Sequence, residues 1–145
     1  MPSTLRTLAL LVTLSLLSPL LTACASTPPA GSEGAASSPV GPWLVTEIGG
    51  TGMIPGVEVT LDLGEDGGLS GSTGVNRLRA TFERTASGLT LSPVMTTRMA
   101  GRPELMDQEQ RLLRSLEGVR GYTIEGGELR LQDGYGAALV VARRR

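Results

Sequence analysis

Between Trp43 and Ala142, apolar residues recur mostly at every second position. Val57, Val59, Leu61 and Leu63 alternate with Glu58, Thr60 and Asp62, the pattern of a half-buried β-strand. Leu44 and Ile48 flank an earlier strand. Glu65-Asp66-Gly67-Gly68 reads as a hairpin turn into Leu69–Ser72, and Thr85-Ala86-Ser87-Gly88 as a turn from Ala80–Glu83 into Leu89–Ser92. Towards the end, Tyr122–Ile124, Leu129–Leu131 and Ala138–Val141 are separated by Glu125-Gly126-Gly127 and Asp133–Gly136. This predicts about seven or eight short strands joined mainly by tight turns. One segment has a different period. From Pro103, the apolar residues Leu105, Met106, Leu112, Leu113 and Leu116 fall on one helical face. Pro103 suits the first helical position and Gly118 the residue past the end. Glu104 and Asp107 near the start and Arg111 and Arg114 near the finish suit the helix dipole, and Asp107 and Arg111 are spaced to pair. The expected fold is α+β: a strongly curved antiparallel sheet, barrel-like and partly open, with one helix across a face or an open end.

The first 42 residues do not share this pattern. Residues 1–23 carry one charge, Arg6, and an apolar stretch from Leu8 to Leu17 broken only by Thr13 and Ser15. That stretch is shorter than the ~20 residues of a transmembrane helix and sits where export signals sit. The sole cysteine follows in Leu21-Thr22-Ala23-Cys24, which resembles a bacterial lipobox. The resemblance implies cleavage before Cys24 and lipid attachment to its sulfur, with a further acyl chain (palmitate or similar) on the new N-terminus. One acyl chain binds a bilayer only marginally and two hold it firmly. Ala25, in place of Asp, favours the outer membrane if the cell has two. Ala25–Pro42 consists almost wholly of Ala, Ser, Pro and Gly, too little apolar surface to offset the entropy of ordering. It reads as a disordered tether spanning roughly 25 Å, so the expected domains are 1–23 signal peptide, 24–42 lipidated cysteine and tether, and 43–145 folded domain.

Composition narrows the chemistry. The chain has no His and one Cys, and its 13 basic residues are all Arg. This excludes a Ser-His-Asp triad, a Cys-His pair, a His metal site, a Schiff-base lysine and a phosphate-loop lysine. With Arg6 removed in the leader, 12 arginines face 14 carboxylates. That balance, with only Trp43, Phe82, Tyr122 and Tyr135 as aromatics, does not suit nucleic acid. No cofactor and no enzyme activity are expected.

Three stretches, in order, resemble the META/HslJ-like domain family. They are Trp43-Leu44-Val45-Thr46-Glu47-Ile48-Gly49-Gly50, Gly71-Ser72-Thr73-Gly74-Val75-Asn76-Arg77, and Met95-Thr96-Thr97-Arg98-Met99-Ala100-Gly101, the last followed by Glu109 and the leucine-rich helix. The closing Leu129-x-Leu131-x-Asp133 hairpin also fits. Two family cysteines are absent together, replaced by Val75 and Gly101. If they pair in relatives, both ends of one bridge are lost here, and positions 75 and 101 are spatial neighbours. Ala80 stands where the family has glycine and Phe82 where it has tyrosine. The resemblance implies a binding or interaction module, with links to heat shock, envelope stress and antibiotic tolerance. It also implies a fold similar to the lipoprotein pilots of secretion systems. A carrier of an acyl chain or apolar peptide in an open barrel is therefore the alternative. An apolar concavity beside the helix would favour the carrier, and a filled interior the surface module.

Candidate binding residues are Asn76, Arg77, Thr97, Arg98 and Met99, with Cys24 for lipid attachment. Asn76 is either a recognition residue at the sheet's rim or a turn-former bonded to its own backbone. Thr97, Arg98 and Met99 either line a site beside Asn76 or pack ahead of the helix. Glu65 and Asp66 belong to a turn and match no calcium loop. The glycine-rich Gly49–Gly56 has no helix after it and reads as a flexible loop, not a phosphate cradle. Arg143-Arg144-Arg145 is either a solvated tail or a contact to anionic headgroups, at about 1 kcal/mol per residue. Expected partners are a membrane through the anchor and an envelope protein or apolar ligand.

Overall fold

The computed structural model describes residues 38–145 except Ala86 and Ser87; the leader, Cys24 and most of the tether lie outside the described residues. The strands are β1 (Gly41–Ile48), β2 (Thr51–Gly52), β3 (Thr60–Leu63), β4 (Gly68–Ser72), β5 (Arg77–Thr85), β6 (Gly88–Leu91) and β7 (Met95–Thr96). After helix α1 (Pro103–Glu117) come β8 (Gly121–Glu125), β9 (Glu128–Gln132) and β10 (Ala138–Arg144). Neighbouring strands run in the order β6-β5-β4-β3-β1-β10-β9-β8, with β2 paired to β1 and β7 to β5. Every pairing is antiparallel. The two ends of this order meet, with Leu89 N donating to Arg120 O at 3.1 Å. The sheet is thus a nearly closed barrel, as its alternation and single helical segment predict.

Alternation decides what lies inside. On β5, Leu78, Ala80 and Phe82 are buried and Arg77, Arg79 and Thr81 exposed. On β1, Trp43 and Val45 face inward, but the next buried residue is Ile48. The register against β10 slips between Val45 and Glu47. One extra residue in a bulge switches the face of everything after it. The barrel interior and the helix share one core, in which Leu112, Leu116 and Val119 join Trp43, Leu61, Leu129 and Val140, all fully buried. Burying each such leucine contributes about 1.5–3 kcal/mol. Leu105, Met106 and Leu113 are only half-buried. Among the described residues, every member of this core lies at or after Val40, so the barrel's core is assembled within residues 38–145.

Pro103 occupies the first turn of α1, Arg102 precedes it without a side-chain cap, and Gly118 ends it in right-handed conformation. Asp107 and Arg111 do not form the expected pair; the ion pairs among the described residues are Arg102–Glu104, Glu128–Arg130 and Glu58–Arg145. All three are exposed at the surface, where such pairs add little.

Four further boundaries differ from expectation. The alternating run Val57–Leu63 is strand only from Thr60, although Val59 is fully buried and its carbonyl accepts from Val45 N. Gly49–Gly56 is not wholly loop: Thr51–Gly52 folds back on β1 through a two-residue turn. Gly49 and Gly50 both have positive φ there, which favours glycine in a hairpin of this kind. Short β7 pairs with the start of β5. Finally, the domain begins before Trp43. Gly41 and Pro42 pair with Leu63 and Asp62, and Pro39 O accepts from Trp43 Nε1 at 2.7 Å.

Candidate functional site

The residues of the second and third family-like stretches meet at one end of α1. Thr73 and Asn76 bracket the turn between β4 and β5, and both are buried. Thr73 Oγ1 accepts from Asn76 N at 2.8 Å and from Val75 N at 3.3 Å, so threonine, not asparagine, forms the local turn. That frees the Asn76 amide to reach outward. Its Oδ1 accepts from Thr97 Oγ1 and Met99 N, each at 2.8 Å. Its Nδ2 donates to Met99 O at 3.2 Å and to both carboxylate oxygens of Glu109, at 3.1 and 3.0 Å. Thr73 Oγ1 donates to Glu109 Oε2 as well. One amide therefore ties the β4–β5 turn, the segment before the helix and α1 together, with donors facing acceptors throughout.

Glu109 is 5 % exposed, and among the described residues it makes no ion pair. Next to it, Gln108 is buried and its Oε1 accepts from Ile54 N at 2.9 Å, while its Nε2 has no partner. A buried polar group without a partner costs free energy, so these bonds are needed merely to keep the helix seated. No acid/base chemistry follows from this cluster, because its groups are enclosed and engaged with each other.

Neither Gln108 nor Glu109 is among the expected site residues. The signal was present. Leu105 and Met106 are followed on the same helical face by Gln108 and Glu109, then by Leu112, Leu113 and Leu116, so the polar pair interrupts the apolar stripe one turn from its start.

The five candidate residues separate into two groups. Asn76 belongs to the buried cluster, exposed Thr97 reaches it through its hydroxyl, and Met99 joins it through its backbone only, its side chain being largely exposed. Arg98 points into solvent. Arg77 touches the cluster only through its backbone, its N–H donating to Thr97 Oγ1 at 3.1 Å, while Arg77 also lines a groove on the outer face of the barrel. That groove, of about 400 Å³, crosses β3, β4 and β5, and Arg79, Arg145, Ser70, Ser72 and Asp62 also border it. Among the described residues, no three His, Cys, Asp or Glu gather as metal ligands would.

The family model for the META domain matches residues 37–145. The chain belongs to the META domain family. No curated protein matches it. Among solved structures, a protein from Burkholderia xenovorans determined by NMR shares 19% identity at a TM-score of 0.59, covering 72% of this chain and 81% of its own. A second NMR structure shares 18% identity at a TM-score of 0.54, over 70% of this chain and 86% of that one. Likeness at this identity concerns the fold.

Within the META domain, the two positions where cysteines are absent are neighbours, as the resemblance implied. A Cβ built on Gly101 would lie 3.0 Å from both γ-carbons of Val75. A cysteine sulfur in either γ position would therefore sit within bridging range of a cysteine at 101. The double substitution Val75→Cys, Gly101→Cys is expected to form a disulfide and stabilise the domain by about 3.5 kcal/mol in the chain-entropy model. Thermal melts with and without reductant check this. The double variant should lose its gain on reduction, and the parent domain should melt at the same temperature in both.

Proposed function

We propose that this is a lipid-anchored cell-envelope protein whose META domain is a non-enzymatic binding or interaction module. The observation that carries the anchor is the position of the only cysteine, directly after Leu21-Thr22-Ala23 and between an apolar leader and the matched domain. Two acyl chains at Cys24 would fix the chain to the bilayer, outer membrane favoured, and the polar segment after it would let the domain reach partners. A role in envelope stress or antibiotic tolerance fits such a module. Supporting the non-enzymatic reading, the most buried carboxylate among the described residues, Glu109, is engaged by Asn76 and Thr73.

The acyl-carrier alternative is less well supported. Leu112, Leu116 and Val119 seat α1 in the same core as the strands, and the groove over β3, β4 and β5 is bordered largely by Arg, Asp, Ser and Thr.

Cys24→Ala is expected to abolish processing and move the chain out of the membrane fraction. Globomycin, which blocks the lipoprotein signal peptidase, should leave the uncleaved form to accumulate. Fractionation and gel mobility read both effects; membrane association and processing unchanged by either treatment would refute the anchor.

A further inference from the structure

We propose that the outer groove over β3, β4 and β5 is a binding site for a phosphate group, either free in a small phosphate ester or carried by a lipid headgroup. This rests on the domain being a binding module, but not on the lipid anchor.

The groove is built by register. Arg77, Ser72 and Thr60 stand opposite one another on three adjacent strands, and Arg79, Ser70 and Asp62 form the next row. Alternation directs both rows outward. Arg77 and Arg79 lie two residues apart on β5, so their side chains leave the same face about 7 Å from each other. Two strand spacings, about 10 Å, separate Arg79 from Asp62, the only side-chain carboxylate among the described residues that border the groove. No ion pair joins either arginine to any described residue. Arg145 stands at the other side, in contact with exposed Glu58 at 3.6 Å.

Between the arginines and Asp62, the residues are small and hydroxylated. Gly71, which falls in the inward row between Ser70 and Ser72, has no room for a side chain, since a Cβ there would strike the Thr60 carbonyl. Ser72 Oγ accepts from Gly74 N at 3.1 Å, which leaves its proton free to donate outward. Ser70 and Thr60 make no side-chain hydrogen bond within the described residues. The chain has slightly more acidic than basic residues, yet among the described residues Arg77 and Arg79, in no ion pair, share the groove with a single side-chain carboxylate, Asp62. Paired guanidinium forks with hydroxyl donors between them match a tetrahedral oxyanion, which accepts several charge-assisted bonds at once. Met95, 69 % exposed, is the cross-strand neighbour of Arg79, so an apolar flank lies beside the charged row.

The test is an amide chemical-shift titration of residues 38–145 with inorganic phosphate, against sodium chloride at equal ionic strength. Saturable shifts centred on residues 70–72, 77 and 79 are expected with phosphate alone. Arg77→Gln with Arg79→Gln should weaken binding at least about tenfold without changing the melting temperature, whereas Arg114→Gln on the helix should leave binding intact. In parallel, sedimentation with phosphatidylglycerol vesicles, against phosphatidylcholine alone, separates the two sources. Retention that phosphate competes away and the double variant loses identifies a headgroup. Phosphate shifts without retention identify a soluble ester. Equal shifts with chloride, undiminished binding by the double variant, or no saturable response to either probe would overturn the proposal. Because the titration uses unlipidated protein, its failure would leave the Cys24 result untouched.

Discussion

Asn76→Ala is expected to destabilise the domain by about 3 kcal/mol or more, because buried hydrogen-bonding groups left without a partner cost about 1–3 kcal/mol each. The side chain is 1 % exposed and makes five hydrogen bonds to two other segments, residues 97–99 and α1. Alanine would leave the Glu109 carboxylate facing a cavity, with only Thr73 as a side-chain donor, and would strand Met99 N and O. Domains of this size are stable by roughly 5–15 kcal/mol, so much of the total is at stake. Urea unfolding of residues 38–145, followed by circular dichroism, measures it. The companion change Glu109→Leu, combined with Asn76→Ala, should cost less than the two single changes together, by about 1 kcal/mol or more, because each removes what the other leaves unsatisfied. A loss below about 1 kcal/mol for Asn76→Ala would mean that water reaches the cluster and that the asparagine is an ordinary turn residue.

This cluster marks the boundary of what the sequence makes legible. The α+β class, the single helix and most strand positions follow from two periodicities and the placement of glycines, because those signals are local. Pro103 and Gly118 bound the helix within a residue of expectation for the same reason. Long-range matters are less readable. Nothing in the alternation of β1 announces the bulge between Val45 and Glu47, which depends on its pairing with β10 nearly a hundred residues away. The run Val57–Leu63 alternates throughout, but only its second half finds ladder partners on both sides. Asn76 was open to a local or a distant role. Thr73 takes the local one, so the amide is released to bond across the fold. The groove depended on register too: Arg77 and Arg79 are two residues apart in any strand, but only pairing with β4 and β3 sets hydroxyls and not carboxylates between them and Asp62. The proximity of positions 75 and 101 came from family resemblance, and no periodicity would have supplied it.

Trp43→Ala is expected to cost about 3–5 kcal/mol, comparable with the loss of Asn76 but through a different term. Trp43 is fully buried on β1, the strand held between β3 and β10 near the middle of the sheet order. Alanine would leave a cavity that neighbouring strands cannot collapse into without breaking ladder bonds on both sides. Two polar contacts would go with it. The indole Nε1 donates to Pro39 O, and the Arg144 guanidinium lies 4.2 Å above the ring. Arg144 in turn donates to Val40 O and Ser38 O, so the ring and the arginine together fasten the start of the domain. Trp43→Phe separates these contributions. Phenylalanine keeps much of the apolar volume and a face for Arg144 but lacks the N–H, and should cost about 1–3 kcal/mol. The chain has one tryptophan, so unfolding must be followed by circular dichroism and not by indole fluorescence. Hydrogen exchange adds a local reading: in Trp43→Phe, protection at Val45 N should persist, since its bond to Val59 O is independent of the indole. In Trp43→Ala, protection should fall along β1 and β10 together. If alanine proved no worse than phenylalanine, packing at the barrel's centre would not be what holds this domain closed, and the N–H bond at its threshold would carry the stability instead.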